Sequence, residues 1–583
     1  MKTYSEYKKV LKETIEPLYE VKIAVMGDFA TQKLCDMLKA VMHENKIKIS
    51  LYEADFDAID TEIFNPDSEL YHFQPNYIFI STASKKQQLK FNRLDLSEKA
   101  NFAINYLEKA KLWWDTLNQN LKANIVFSNL AETDDAVFGN YANKTQYSWV
   151  YQVRKINFGL MDLAQAYKNV FIQDMSALQN QLGKEKTFKP SLYYTANQVY
   201  DIDFLPYIAK SVTDIILSIQ GKFKKCLILD LDNTTWGGIV GDDGMDNLQI
   251  GDIGIGKAFT DLQYYAKKLK ERGIILCVCS KNEENIAKEP FEKHPDMVLK
   301  LNDIAVFVAN WENKADNIRY IQGILEIGFD SMVFLDDNPF ERNLVRTQLP
   351  EVCVPELPED PAEYVSYLET LNLFETASFT QDDTARTEMY QTEDTRRKSQ
   401  AQYSSIDEYL QSLNMVAEVG DFTNSFYVPR IAQLTQRSNQ FNLRTVRYTE
   451  ADIQRIAQDP AFVPFYFCLS DKFGSYGLIS VVILQKQDDK TLFVDTWLMS
   501  CRVLKRGVEQ FVLNTIVEYA QKNKFEHIIG EYIPTSKNAM VKEHYPKLGF
   551  KNTDKPNVWK LNVAEYQSAP VFIQTESYAS SQH

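Results

Sequence analysis

Residues 226–235 read Cys226-Leu-Ile-Leu-Asp-Leu-Asp-Asn-Thr-Thr235, an apolar run that delivers two aspartates two positions apart. The run Cys226–Leu229 suits a strand covered on both faces of a parallel sheet. Asp230 and Asp232 then fall at its carboxyl end, where open α/β sheets place their ligands. Carboxylates this close repel one another and are costly to keep ionised unless a cation lies between them. Oxygen ligands favour a hard ion such as Mg2+, which brings phosphate oxygens with it. One aspartate can then attack phosphorus and carry the phosphoryl group as an aspartyl phosphate.

The flanking sequence repeats this logic over roughly 221–360. A helix is expected over Phe259–Arg272, with Phe259, Leu262, Ala266 and Leu269 on one face and Gly273 as its stop. The apolar strand Ile274–Cys279 leads into Ser280, Lys281 and Asn282. A second helix, Lys314–Ile327, stops at Gly328, and the strand Met332–Leu335 delivers Asp336, Asp337 and Asn338. In a parallel sheet the three strand ends open on one edge, so acids, a hydroxyl and an ammonium converge there. Only the loop Trp236–Ile255 is left over, enough for a hairpin flap. An open site admits bulky or protein-borne substrates; a small-molecule phosphatase closed by its neighbouring domains is the alternative.

At 583 residues the chain exceeds a single core and implies about three domains. Its 45% apolar and 13% aromatic content is that of an ordered globular protein. No apolar run is long enough to span a membrane and the start lacks a signal core, so the expected location is cytoplasmic. A net charge of −15 argues against broad nucleic-acid binding. Six scattered His give no zinc pattern. Cys277 and Cys279 read as core thiols, placed on opposite faces of their strand, and not as a redox or metal pair. Residues 1–220 alternate strands (in Val21–Asp28, then Ile47–Tyr52, Tyr77–Ser81, Asn124–Ser128) with helices such as Thr31–Glu44, which implies another parallel sheet. Residues 361–407 read as a polar linker or exposed helix. Residues 408–565 mix strands with a helix after Gly507, and 566–583 read as a tail.

The order D-x-D-x-T, Ser, Lys, Asp-Asp resembles the four motifs of the haloacid dehalogenase (HAD) superfamily of aspartyl phosphotransferases. The resemblance implies Asp230 as nucleophile and Asp232 as general acid and base. It implies Thr234, Ser280 and Lys314 on the phosphoryl oxygens. Mg2+ would be held by Asp230, the main-chain carbonyl of Asp232 and the last acidic pair, with Asp337 as direct ligand and Asp336 behind it. Four strings narrow the likeness to the FkbH-like branch: Leu229–Gly238 (LDLDNTTWGG), Phe334–Arg342 (FLDDNPFER), and in the last domain Leu434–Asn442 (LTQRSNQFN) with Asp495–Gly507 (DTWLMSCRVLKRG). Position 235 is Thr where that branch usually has Leu.

The resemblance therefore implies an α/β, multidomain protein. A Rossmann-like HAD core with a parallel sheet is preceded by an SGNH-like α/β domain and followed by an acetyltransferase-like (GNAT-like) α+β domain. It also implies a Mg2+-dependent phosphatase that loads a glyceryl-type unit from 1,3-bisphosphoglycerate onto an acyl carrier protein. Alternatives are a phosphatase without acyl transfer and a non-enzymatic assembly protein. Acyl transfer needs a second nucleophile, and Cys501 is the candidate thiol, with a half-buried core cysteine as the alternative. In the cofactor-loop pattern Q/R-x-x-G-x-G/A the matching positions are Arg502, Lys505 and Gly507; Lys in place of the first Gly argues against acetyl-CoA. Arg502, Lys505, Arg506 and Gly507 are candidates for a phosphopantetheine phosphate or an acidic carrier, or form a solvated helix start. In the N-terminal region Gly27-Asp28-Phe29 resembles an SGNH/GDSL entry with Phe at the nucleophile position. Asn129 stands for that family's Asn, and Asp201-Ile-Asp-Phe204 has Phe in place of His, which implies a non-hydrolytic relative.

Overall fold

The structure, a computed structural model, describes residues 1–379, 405–500, 503–535 and 537–576, with single positions between 380 and 404. The chain divides into two compact units, Met1–Ile219 and Gln220–His583. In the first unit, strands β1 (Tyr19–Gly27), β2 (Ile47–Glu53), β3 (Tyr77–Ser81), β4 (Asn124–Ser128) and β5 (Val170–Gln173) form a parallel sheet in the order β2-β1-β3-β4-β5. Helices joining the strands cover it, as parallel pairing requires.

The second unit opens with a four-stranded parallel sheet, ordered β8-β7-β6-β9: β6 (Cys226–Leu229), β7 (Ile275–Ser280), β8 (Ile304–Ala309) and β9 (Met332–Leu335). Every residue of β6 and β9 is buried, which accounts for their unbroken apolar sequences. The edge strand β8 has the same apolar signal, but the sequence reading assigned it no element. The connecting helices are Gly256–Glu271, Glu284–Lys293 and Lys314–Leu325, and Pro339–Gln348 follows β9. Gly273, at φ +90°, ends the first of these as expected. The helix from Lys314 stops earlier than expected: Glu326 takes the left-handed cap at φ +52°, and Gly328 lies in extended backbone beyond it.

Four expectations need correction. Loop 236–255 is not a hairpin flap; it holds two short helical turns, Val240–Asp243 and Met245–Asn247, closed by a bridge between Gly237 and Gln249. Residues 361–374 are not linker: the helix Tyr364–Leu371 buries Tyr364 and Leu368, and with Phe374 these join the core around β6. Residues 573–575 are not tail, because β17 (Ile573–Thr575) pairs parallel with β10 (Met415–Gly420). Cys277 and Cys279 are core thiols, but both pack in the same cluster with Cys226, since residues two apart on a strand share a face.

The C-terminal part is a mixed eight-stranded sheet, ordered β15-β16-β14-β13-β12-β11-β10-β17. Its other strands are β11 (Phe462–Asp471), β12 (Gly474–Lys486), β13 (Thr491–Met499), β14 (His527–Glu531), β15 (Lys551–Asn552) and β16 (Val558–Asn562). Beta13 and β14 pair in parallel from Thr491 and His527 to Val494 and Gly530. Beyond that point β13 bonds to the segment 441–443: Leu443 N donates to Trp497 O at 3.2 Å and Met499 N to Phe441 O at 3.1 Å. Arg444 ties the two strands, reaching Asp495 at 2.8 Å and Glu531 at 2.7 Å. The two C-terminal strings, far apart in the chain, are thereby brought together at Phe441–Asn442 and Trp497–Met499.

A Cβ added at Gly530 would lie 2.2 Å from the buried ring of Tyr545, whose position is fixed by Phe550 and Trp559. Gly530→Ala is expected to destabilise the second unit by about 1–3 kcal/mol, the usual cost of overpacking. Urea unfolding with an unchanged midpoint would contradict this packing.

Candidate active site

Pairing of β6 with β9 sets Leu229 abreast of Leu335, and Asp230 N donates to Leu335 O at 3.0 Å. The next side chains, Asp230 and Asp336, therefore stand side by side on adjacent strand tips. Lys314, the first residue of its helix, is buried between them, with Nζ 2.9 Å from Asp230 Oδ2 and 2.6 Å from Asp336 Oδ2. Asn313 caps that helix by accepting from Ala315 N at 2.8 Å, which fixes the point from which Lys314 projects. Asn338 does the same before Pro339, accepting from Phe340 N at 2.9 Å.

Carboxylate oxygens of Asp230, Asp336 and Asp337 all lie within 4.8 Å of one another. Among the described residues Asp230 Oδ1 is buried with no hydrogen-bond partner. Both oxygens of Asp336 are engaged, one by Lys314 and one by Asn338 N at 2.8 Å. Asp337 is half-buried and meets Thr234, whose hydroxyl donates to Oδ1 at 3.3 Å and accepts from Asp337 N at 3.0 Å. Thr234 thus ties the β6 loop to the β9 loop. Arg342 holds the β9 loop from behind, donating to the carbonyls of Asp336 at 2.9 Å and Asp337 at 2.6 Å.

Three acids share one ammonium, and the electrostatics follow. Burial, then the charge of Asp230, pushes the Asp336 carboxyl up to about 7. The same two causes raise Asp337. Burial works against the charge on Lys314, but Asp230 and Asp336 outweigh it and hold the ammonium above the usual lysine range. The cluster is short of positive charge, and its donors are all oxygens.

Asp232 is placed apart from the cluster. Its Oδ1 accepts from the Trp236 indole at 2.9 Å and from Val240 N at 3.1 Å, and its Oδ2 from Asn282 at 2.8 Å. Asn233, the residue after it, sits at φ +54° and accepts from Gly238 N at 3.0 Å, shaping the turn that leads from Asp232 into the loop beyond. Ser280 is buried at the tip of β7 and accepts from Asn282 at 3.3 Å. Lys281 turns to Glu341 at 2.6 Å. Sequence reasoning missed Trp236, Asn282 and Arg342 as supports; the only signal was their place next to the motifs.

Elsewhere the candidates fare differently. Cys501 and Arg502 lie outside the described residues. Arg506 is not part of an exposed basic patch: it is buried with its guanidinium 5.2 Å from the Tyr476 ring centre. Lys505 is exposed, and it and Gly507 adopt left-handed backbone at φ +61° and +78°. In the first unit a small cavity at the carboxyl edge is lined by Asp28, Thr82, Gln87, Tyr106 and Trp113 among others, and Phe29 does not line it. Phe29 and Phe204 both pack on the buried Tyr200, at 5.4 and 6.0 Å between ring centres. Asn129 bonds Asp174 at 2.8 Å.

Lys314→Met is expected to cost about 3–5 kcal/mol, because it leaves buried carboxylates without a counter-charge. Asp337→Asn removes one repelling charge and should raise the melting temperature in the absence of divalent cation. A lower melting temperature for Asp337→Asn under those conditions would contradict the repulsion.

A family model described as FkbH, N-terminal domain, matches residues 22–217. The N-terminal part of the protein BF1531 from Bacteroides fragilis, described as containing a phosphatase domain complexed with Mg, is 49% identical with a TM-score of 0.63; the match covers 65% of this chain and 100% of that one. The ribosomal-protein-S18-alanine N-acetyltransferase from Escherichia coli is 13% identical with a TM-score of 0.20, covering 29% of this chain and 99% of that one. Ard1 from Thermoplasma volcanium is 13% identical at 0.19, covering 25% and 94%. Likenesses that faint carry no argument for the C-terminal sheet. No curated protein matches. The acid-tipped parallel sheet of 226–335 is HAD-like, and with the matched N-terminal domain and the full-length coverage of a relative at 49% identity, the chain belongs to the FkbH family.

Proposed function

We propose that this protein is a Mg2+-dependent phosphatase of the HAD superfamily that works through an aspartyl phosphate on Asp230. The observation that carries the reading is Asp230 Oδ1: a buried carboxylate oxygen with no partner, on a side chain whose other oxygen is held by Lys314. The residues fit a hard cation, since Asp230, Asp336 and Asp337 present oxygen donors within 4.8 Å and lack positive charge. Asp230, Asp337, the carbonyl of Asp232 and, behind them, Asp336 would hold it. Bound there, Mg2+ neutralises the crowded acids and the phosphate oxygens and lets a carboxylate approach an anion.

The protein's own groups then divide the work. An Asp230 oxygen forms a bond to phosphorus as the bond from phosphorus to the leaving oxygen breaks, and Asp232 gives that oxygen its proton. Ionised Asp232 next takes a proton from a water whose oxygen attacks phosphorus. The bond from Asp230 to phosphorus breaks, releasing inorganic phosphate and the carboxylate. Lys314 and Ser280 stabilise the transferring oxygens, and the Thr234 hydroxyl keeps the β9 loop and Asp337 in place.

A second reading adds acyl transfer: loading of a glyceryl-type unit through Cys501 onto an acyl carrier protein. It is favoured by the pairing of Phe441–Leu443 with Trp497–Met499, which gathers both C-terminal strings immediately before position 501. A GNAT-like origin for this sheet and an SGNH-like origin for the first unit complete the proposal. For the first unit, the aromatic trio Phe29, Tyr200 and Phe204 supports a non-hydrolytic role.

Asp230→Asn should lower Mg2+-dependent phosphate release by about 10³-fold or more; retained turnover would refute the nucleophile. Carrier mass after incubation with 1,3-bisphosphoglycerate should shift for the native chain and not for Cys501→Ala, which keeps phosphate release. A proton on the cluster competes with the cation, since burial and the charge of Asp230 push the Asp336 carboxyl up to about 7. Mg2+ affinity should therefore rise with pH up to about 7 and level off above, read by calorimetry at several pH values. A flat profile from pH 5 to 8 would contradict that competition.

A further inference from the structure

Asp232 is two residues from Asp230 yet shares no partner with it. Its carboxylate is held by three N–H donors from two loops: the Trp236 indole at 2.9 Å, Val240 N at 3.1 Å and the Asn282 amide at 2.8 Å. Trp236 is wholly buried, its ring packed edge-on against Phe291. A bridge between residues 232 and 236 closes the turn. Asn282 is 4% exposed, and the amide nitrogen that meets Asp232 also lies 3.3 Å from Ser280 Oγ. One side chain therefore spans the hydroxyl on the phosphoryl side and the acid that moves the proton.

We infer that Asn282 and Trp236 are positioning residues that fix Asp232 for proton transfer and couple it to Ser280. The inference rests on the reading that Asp230 accepts phosphorus and Asp232 handles protons. An aspartate on a loop rotates freely about its side-chain bonds. Proton transfer to an attacking water tolerates only a narrow range of distance and angle, so a mobile carboxylate spends little time in the productive pose. Two buried donors on opposite oxygens remove that freedom. Neither residue belongs to the three-acid cluster, so losing either should leave cation binding intact.

The test uses the full chain with Mg2+ and 4-nitrophenyl phosphate. Nitrophenolate leaves without a proton, so formation of the aspartyl phosphate bypasses Asp232 and only its hydrolysis depends on it. Asn282→Ala, Asn282→Asp (same size, no donor) and Trp236→Phe should keep a rapid first-turnover burst of nitrophenolate. Their steady-state kcat should fall about 10- to 100-fold, short of losing the acid–base group itself. KM should stay level or fall as the phosphorylated form accumulates, and the Mg2+ midpoint should not move. An unchanged kcat in these variants overturns the inference. So does a loss of burst and Mg2+ affinity together, which marks a merely structural role. Absence of Mg2+-dependent release from the native chain overturns the underlying reading instead, and the inference with it.

Discussion

Repulsion among carboxylates on neighbouring strand tips is the constraint around which this protein is arranged. Parallel pairing of β6 and β9 forces Asp230 and Asp336 side by side, and Asp337 follows on the same edge. Among the described residues Lys314 alone enters that cluster as an ammonium. Everything nearby serves to hold charges where they would rather not be. Asparagine caps fix two helix starts, Thr234 pins the β9 loop to the β6 loop, and Arg342 anchors that loop from its carbonyl side. Such crowding is tolerated because the wholly buried strands β6, β7 and β9 stand beneath it and because a bound cation would relieve it.

The same arrangement explains the division between the acids. Asp230 is under electrostatic pressure, with one oxygen left unpartnered among the described residues; Asp232, two residues on, lies outside the cluster and meets three donors of its own. Two identical side chains two residues apart thus reach different environments, which is how one motif can supply both a nucleophile and a proton carrier.

Much of the central site was legible because strand tips are local features. An apolar run followed by Asp-x-Asp or Asp-Asp fixes where the acids emerge, and sheet topology brings the runs together. What was not legible depends on contacts between loops. Nothing in the sequence says that Trp236 bonds Asp232 or that Asn282 reaches back to it. The β8 run was visible but unassigned, and the turn at Glu326 went to Gly328 because glycine is the commoner left-handed residue. Residues 361–374 and 573–575 looked like linker and tail because the burial of the first and the strand pairing of the second come from partners distant in the chain. The burial of Arg506 was hidden for the same reason: its charge is read from sequence, but its place over Tyr476 is not.

The central claim is that phosphorus becomes bonded to Asp230. Rapid quenching of the chain during turnover with Mg2+, followed by borohydride reduction, converts a phosphorylated aspartate to homoserine, which peptide mass spectrometry locates. The account predicts homoserine at position 230 and nowhere else. Label at another residue, or none at 230 while phosphate is being released, would contradict it.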